Sequence, residues 1–142
     1  MNLRPMTMED ADDMLRWKNY EETMRYSIST FEKIKKPDHY KWLKKNIKTF
    51  RVILNAKGRS IGALRIDGKE VSIWIDRRYR GRGIATYILS KHTKKGMIAK
   101  IVLNNFASMK AFIRAGFMPE ELVSPKTQFW FYRRNSHFIF KK

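Results

Sequence analysis

Asp76-Arg77-Arg78-Tyr79-Arg80-Gly81-Arg82-Gly83-Ile84-Ala85 closes one element of the chain and opens another. The run before it, Val71-Ser72-Ile73-Trp74-Ile75, alternates in polarity and reads as a strand. The run after it, from Ile84 on, is amphipathic and reads as a helix. Glycines at 81 and 83 allow positive φ and let the backbone approach a phosphate closely. The helix start behind them offers free N–H groups and a positive dipole end. Arg77, Arg78, Arg80 and Arg82 add charge, so the turn is a candidate pyrophosphate site. It is not a Walker loop, which needs lysine and Ser/Thr where Ile84 and Ala85 stand. Nor is it a Rossmann turn, which needs a third glycine in a βαβ unit.

Upstream, the chain reads as hairpins. Phe50–Leu54 is apolar and β-branched, 55–59 supplies a turn, and 60–66 is the next strand. Asp67-Gly68 is a hairpin signal that hands on to a strand over 71–76. Nearer the start, residues 2–6 read as a strand. Thr7 with Asp10 forms a capping-box variant ahead of a helix whose Ala11, Met14, Leu15 and Lys18 share a face. Pro37 opens a further helix. Downstream come a strand over 98–103 and a helix over 107–115, with Met109, Phe112 and Ile113 facing a core. Gly116 terminates that helix. Two late strands are expected over 117–123 and 127–132, and the tail from 135 is either a strand or loose. This order implies an α+β fold with a central, mostly antiparallel mixed sheet flanked by helices. A length of 142 residues suits one domain spanning 1–142.

A hydrophobic fraction of 43% with 13% aromatics supports a packed core. The absence of cysteine excludes disulfides, thiolate metal sites and a cysteine nucleophile. The three histidines, His39, His92 and His137, lack the spacing of a helical zinc pair, so no metal is expected. The N-terminus turns acidic where a signal peptide is apolar, and no membrane span is visible, so a cytoplasmic location is expected. A net charge of +18 points to an anionic partner or to a lysine-rich surface.

Arg78-x-x-Gly81-x-Gly83 resembles the R/Q-x-x-G-x-G/A motif of the GNAT N-acetyltransferases. Asn105-x-x-Ser108-x-x-x-Phe112-x-x-x-Gly116-Phe117 is similar to that family's N-x-x-A/S…GF segment. The two motifs cover about a third of the chain, and the element order fits nearly all of it. The resemblance implies acetyl-CoA as co-substrate, no metal, and a sheet splayed between its fourth and fifth strands. It places the pyrophosphate on the backbone of Gly81, Arg82, Gly83, Ile84 and Ala85, with Arg78 and Arg80 nearby. The pantetheine arm would lie along Ile73, Trp74 and Ile75, flanked by Asn105, Ser108 and Phe112. A backbone N–H near Trp74 or Ile75 would polarise the thioester carbonyl. The amine would attack directly, with no acyl-enzyme, in keeping with the absence of cysteine.

Two departures from the family pattern stand out. Phe112 occupies the place of a tyrosine that protonates the leaving thiolate, which leaves Ser108 or water for that role. The fourth strand also lacks a carboxylate. His39 is then the candidate general base, with a surface histidine as the alternative, and Asp67 and Glu22 are secondary candidates.

The N-terminal part is similar to acetyltransferases of nucleotide-activated amino sugars in pseudaminic-acid-type pathways. The match rests on Trp17-Lys18-Asn19, Arg25, His39-x-x-Trp42 and Gly62-x-x-Arg65-x-Asp67. Trp17, Tyr26 or Trp42 would stack on a base, and Arg25 or Arg65 would pair with a diphosphate. Alternatively, both tryptophans are core. A protein or peptide amine acceptor is a second class. A nucleic-acid partner is a third, suggested by the charge and by the aromatic-basic segment 127–142. A homodimer also stays open.

Overall fold

The computed structural model of the protein describes residues 1–26, 32–124 and 136–142. Among the described residues seven strands form one sheet: β1 (Asn2–Pro5), β2 (Phe50–Leu54), β3 (Ser60–Asp67), β4 (Glu70–Ile75), β5 (Ile98–Val102), β6 (Met118–Val123) and β7 (His137–Lys141). Their spatial order is β1-β2-β3-β4-β5-β7-β6. All neighbouring pairs are antiparallel except β4 and β5. The α-helices among the described residues are α1 (Ala11–Lys18), α2 (Glu21–Arg25), α3 (Lys36–Asn46), α4 (Ile84–His92) and α5 (Phe106–Arg114).

The sheet has a core on each face, as period-two alternation requires. Ile53, Leu64 and Val71 pack with Ile88, Leu89, Phe112, Phe117 and Phe140 under α4 and α5. Val52 and Ala63 pack on the opposite face with Met14, Trp17, Leu43 and Phe50 under α1 and α3. Each large side chain so buried contributes about 1.5–3 kcal/mol.

Local signals set the element ends. The Asp10 carboxylate accepts from the Thr7 N–H at 2.9 Å, closing the expected box ahead of α1. Gly68 turns the β3–β4 hairpin at φ +60. Gly116, at φ +100, ends α5. There the Phe117 N–H donates to the Phe112 carbonyl at 2.9 Å and the Gly116 N–H to the Ile113 carbonyl at 3.0 Å. The Phe112 and Phe117 rings meet edge to face, with centroids 5.0 Å apart. This is a full Schellman motif, with its hydrophobic contact made by the two phenylalanines.

The tail forms β7, inserted between β5 and β6 with Phe140 buried. α2 was not foreseen. The strand expected over 127–132 lies outside the described residues.

Candidate active site

β4 and β5 pair at one position only, Glu70 with Ile98, whereas β3 and β4 pair over six. The parallel pair is joined at its start and open toward its C-terminal ends. Backbone parity shows which groups face the opening. The Asp76 N–H donates to the Ile61 carbonyl of β3 at 2.8 Å, so even-numbered residues of β4 point their backbone groups at β3. The odd-numbered Ile73 and Ile75 therefore turn theirs toward the split. The Ile98 N–H bonds the Lys69 carbonyl at 2.8 Å, which fits the same parity. The N–H expected near Trp74 or Ile75 is thus that of Ile75, because Trp74 addresses Ala63 across the hairpin. The Trp74 ring lies on the α1/α3 face, 5.9 Å from Phe50.

The turn after β4 reaches the mouth of this split. Arg77–Tyr79 forms a short 3-10 helix. Gly81 and Gly83 then take φ values of +75 and +74, and Gly83 caps α4. A Cβ at either glycine would meet nothing within 4 Å, so the backbone here borders open space. Ile84 is buried and anchors the helix start.

The four arginines divide. The Arg78 Nε and Nη2 donate to the two oxygens of Asp76, both at 3.1 Å. Arg77 and Arg80 share the Glu22 carboxylate of α2, and Arg80 Nε also donates to the Ile75 carbonyl at 3.0 Å. Among the described residues Arg82 has no carboxylate partner. It makes a long 3.4 Å bond to the Arg78 carbonyl and is exposed. Arg82 is therefore the guanidinium most available to an incoming anion.

α5 starts beyond the end of β5. Asn105 caps it, its Oδ1 accepting from the Ser108 N–H at 3.3 Å, and both side chains are half-buried. Phe112 is different: it is 3% exposed and held by Phe117, so its side chain is core rather than a wall of the coenzyme site.

The sequence matches the family model described as acetyltransferase (GNAT) domain over residues 1–118. The chain belongs to the GNAT acetyltransferase family. Solved structures repeat the fold at low identity. The spermidine N-acetyltransferase from Vibrio cholerae, in complex with CoA and spermine, is 16% identical with a TM-score of 0.78, over 98% of this chain and 92% of that one. The ribosomal-protein-alanine N-acetyltransferase from Brucella melitensis is 17% identical at 0.75, over 100% and 99%. The phosphinothricin acetyltransferase from Sinorhizobium meliloti, in complex with AcCoA, is 16% identical at 0.72, over 99% and 86%. No curated protein matches the sequence.

The residues of this GNAT domain fit the coenzyme that the family implies. The strand edge at Ile73 and Ile75 faces the split, two left-handed glycines border open space, and the first turn of α4 presents N–H groups toward anions. No helix among the described residues is long and apolar enough to cross a membrane. No group of three or more metal-ligating side chains occurs among them either.

Several acceptor-side expectations are corrected. His39 is neither a surface residue nor open to an acceptor: it is 1% exposed, and its Nε2 lies 3.0 Å from the Ala11 carbonyl. Burial pushes its pKa down. Trp17 is fully buried, with its Nε1 donating to Asp76 at 3.1 Å, which bears out the core alternative over the stacking platform. Trp42 packs on Phe50 and carries Lys18 at 3.8 Å and Arg65 at 5.1 Å from its ring centroid. Arg65 is itself engaged by Thr49, Asn46 and Asp67. Asp67 sits at the closed end of the β4–β5 pair, roughly 17 Å along the strand from Ile75 at ~3.3 Å per residue. Glu22 is held below the usual glutamate range, first by the Arg77 hydrogen bond. Tyr26 is half-buried at the end of α2, and the side chain of Arg25 lies outside the described residues.

Two residues escaped sequence reasoning. Asp76 is fully buried at the junction of α1 and the turn, and its position at a strand end before a short helix was the available signal. Lys18 lies half-buried on Trp42, its pKa pushed down to about 8 by burial and by the charge of Arg65. Its place on the inward face of α1 was legible, but its seat on Trp42 beside Arg65 joins residues far apart in the chain.

Proposed function

We propose that this chain transfers the acetyl group of acetyl-CoA to a primary amine by direct attack within the β4–β5 split. The observation that supports this most is the Ile75 N–H, turned toward an opening whose mouth holds the Gly81–Gly83 turn. Acetyl-CoA supplies the thioester. The neutral amine nitrogen forms a bond to the carbonyl carbon, the carbon–sulfur bond breaks, and the amine proton passes to water. The Ile75 N–H donates to the carbonyl oxygen as negative charge gathers there. Ser108, in the first turn of α5, is the side chain proposed to return a proton to the sulfur. Water takes the part of base, because His39, Asp67 and Glu22 are committed elsewhere.

A small amine is the proposed acceptor, and nucleotide-linked amino sugars are the first class to test. Of the aromatic residues considered for base stacking, Trp17 and Trp42 are packed inward or under cations, which leaves Tyr26.

The test is calorimetric titration of coenzyme-free protein with acetyl-CoA at physiological salt. An acetylation screen of amino-sugar nucleotides, polyamines and peptides then follows. Saturable one-to-one binding with turnover on any amine supports the proposal. No binding, with nucleic-acid affinity retained at the same salt, moves the function to nucleic acid.

A further inference from the structure

The Asp76 side chain is 0% exposed yet accepts from two directions. From the turn come the Arg78 N–H at 3.0 Å and its Nε and Nη2 at 3.1 Å each. From α1 come Arg16 Nη2 at 3.0 Å and Trp17 Nε1 at 3.1 Å. The Asp76 N–H is itself bound to Ile61 of β3. One residue thus joins the central hairpin through its N–H, and α1 and the first residues of the glycine turn through its carboxylate. Burying a carboxylate is costly unless its lone pairs are filled by well-placed donors, and here they are. The Arg78 guanidinium holds its pKa well below the usual carboxylate range despite burial, with Trp17 and Arg16 adding to the effect.

The turn it supports would be expensive to hold otherwise. Gly81 and Gly83 are both left-handed, and a Cβ at either would meet nothing within 4 Å, so the arch borders open space at both glycines. Its two ends are anchored by buried Ile84 at one and buried Asp76 at the other, and between them Arg80 bonds the Ile75 carbonyl and Glu22. We infer that Asp76 is a positioning residue for the coenzyme turn, clamping its entry to α1 through Arg16 and Trp17 so that the Gly81–Gly83 arch is already formed when the pyrophosphate arrives. Pre-organisation of this kind shows in affinity, because a loose arch must be ordered at the moment of binding. The inference rests on the acetyl-CoA reading of the site for its ligand, but not for the clamp itself.

Asp76→Asn keeps the size and loses acceptor capacity. Arg16→Met removes one donor from α1, on a half-exposed side chain outside the glycine turn. The turn carries its own protease reporter, since trypsin cuts after arginine and four arginines lie at 77, 78, 80 and 82. Two measurements are made on each variant: the rate of tryptic cleavage within 77–82 without coenzyme, and acetyl-CoA affinity by calorimetry. Both variants should be cut in the turn about tenfold faster than wild type and bind acetyl-CoA about tenfold more weakly, the scale of one lost charge-assisted hydrogen bond. Arg16→Met should do so with its thermal midpoint nearly unchanged, which a merely structural role would not produce. If Asp76→Asn does not fold, Arg16→Met decides alone. Wild-type cleavage rates in folded variants overturn the clamp. Faster cleavage in a protein whose wild type binds no acetyl-CoA keeps the clamp and overturns the functional reading.

Discussion

His39 Nε2 lies 3.0 Å from the Ala11 carbonyl oxygen, bolting α3 to α1, while its buried Nδ1 has no partner among the described residues. Burial therefore disfavours the charged ring in the folded chain. Burial pushes its pKa below the usual value near 6.5; Lys18 acts in the same direction, and Ala11 and Asp12 oppose it. The unfolded chain then takes up the proton first on acidification. Stability contributed by the neutral ring is complete above about pH 6.5 and declines as the pH falls below it. Urea midpoints measured from pH 7.5 down to 5.5 should fall, and His39→Gln should flatten that slope. His92, also pushed down by burial, acts with the same sign, so His92→Gln is the control. An unaltered slope in His39→Gln would remove His39 as the source.

Gly62→Ala should be severely destabilising. An added Cβ would stand 2.2 Å from the Trp74 carbonyl oxygen and 3.2 Å from Ile75 Cα, both backbone atoms that cannot rotate away. Overpacking of this kind costs about 3 kcal/mol, or roughly 10 °C in thermal midpoint. Any relief must move β4, and with it the Ile75 N–H. Acetyl transfer should therefore fall further than the folded fraction does, which a turnover assay normalised to folded protein checks.

How much of this was legible in the sequence depends on how local each cause is. The Gly81–Gly83 turn, the Asp67-Gly68 hairpin and the Gly116 stop are written in residues that act on their own backbone, and all three stand where the residues put them. Asp76 and Trp17 are 59 positions apart, and neither says that one buries the other. His39 looked exposed because it follows Pro37-Asp38 in a helix rich in lysine. Its burial comes from α1, whose Ala11 carbonyl meets the ring at 3.0 Å. The tail His137–Lys141 is too short and too apolar to distinguish a central strand from a loose end. Only the gap left between β5 and β6 settles it.

Phe112→Tyr tests whether the missing acid can be restored. The ring is 3% exposed and set edge-on against Phe117 within the α5 stop. A hydroxyl there is buried without a provided partner, at a cost of about 1–3 kcal/mol. The urea midpoint should drop accordingly, with turnover per folded molecule unchanged. A full wild-type midpoint together with faster turnover would mean that the hydroxyl reaches the split.

Lys18 should be unusually reactive for a lysine. With its pKa near 8, about half of its amine is neutral at pH 8, against well under 1% for an ordinary lysine. Limiting acetic anhydride at that pH, followed by peptide mapping, should label Lys18 ahead of the exposed Lys57 despite its half-burial. Arg65→Met, which removes the neighbouring charge, should slow that labelling. Equal labelling of Lys18 and Lys57 would show that access, not protonation, governs the amine.

Gly83→Glu separates the glycine turn from every other account of the positive charge. The position has φ +74, so any side chain pays roughly 1–2 kcal/mol of backbone strain. There is open space for the side chain, since a Cβ meets nothing within 4 Å. A carboxylate ahead of α4 also suits the helix dipole, which returns part of that cost. The variant should therefore fold. Its carboxylate would stand where the pyrophosphate is proposed to sit, adding both bulk and like charge. Acetyl-CoA affinity should fall by more than about a hundredfold, the scale of a displaced charge-assisted contact plus repulsion. Gly83→Ala, with strain but no charge, should lose far less. Calorimetry on the two variants, each shown folded by circular dichroism, distinguishes the causes. Equal losses would assign the effect to backbone shape, and an undiminished affinity in folded Gly83→Glu would take the turn out of the coenzyme site.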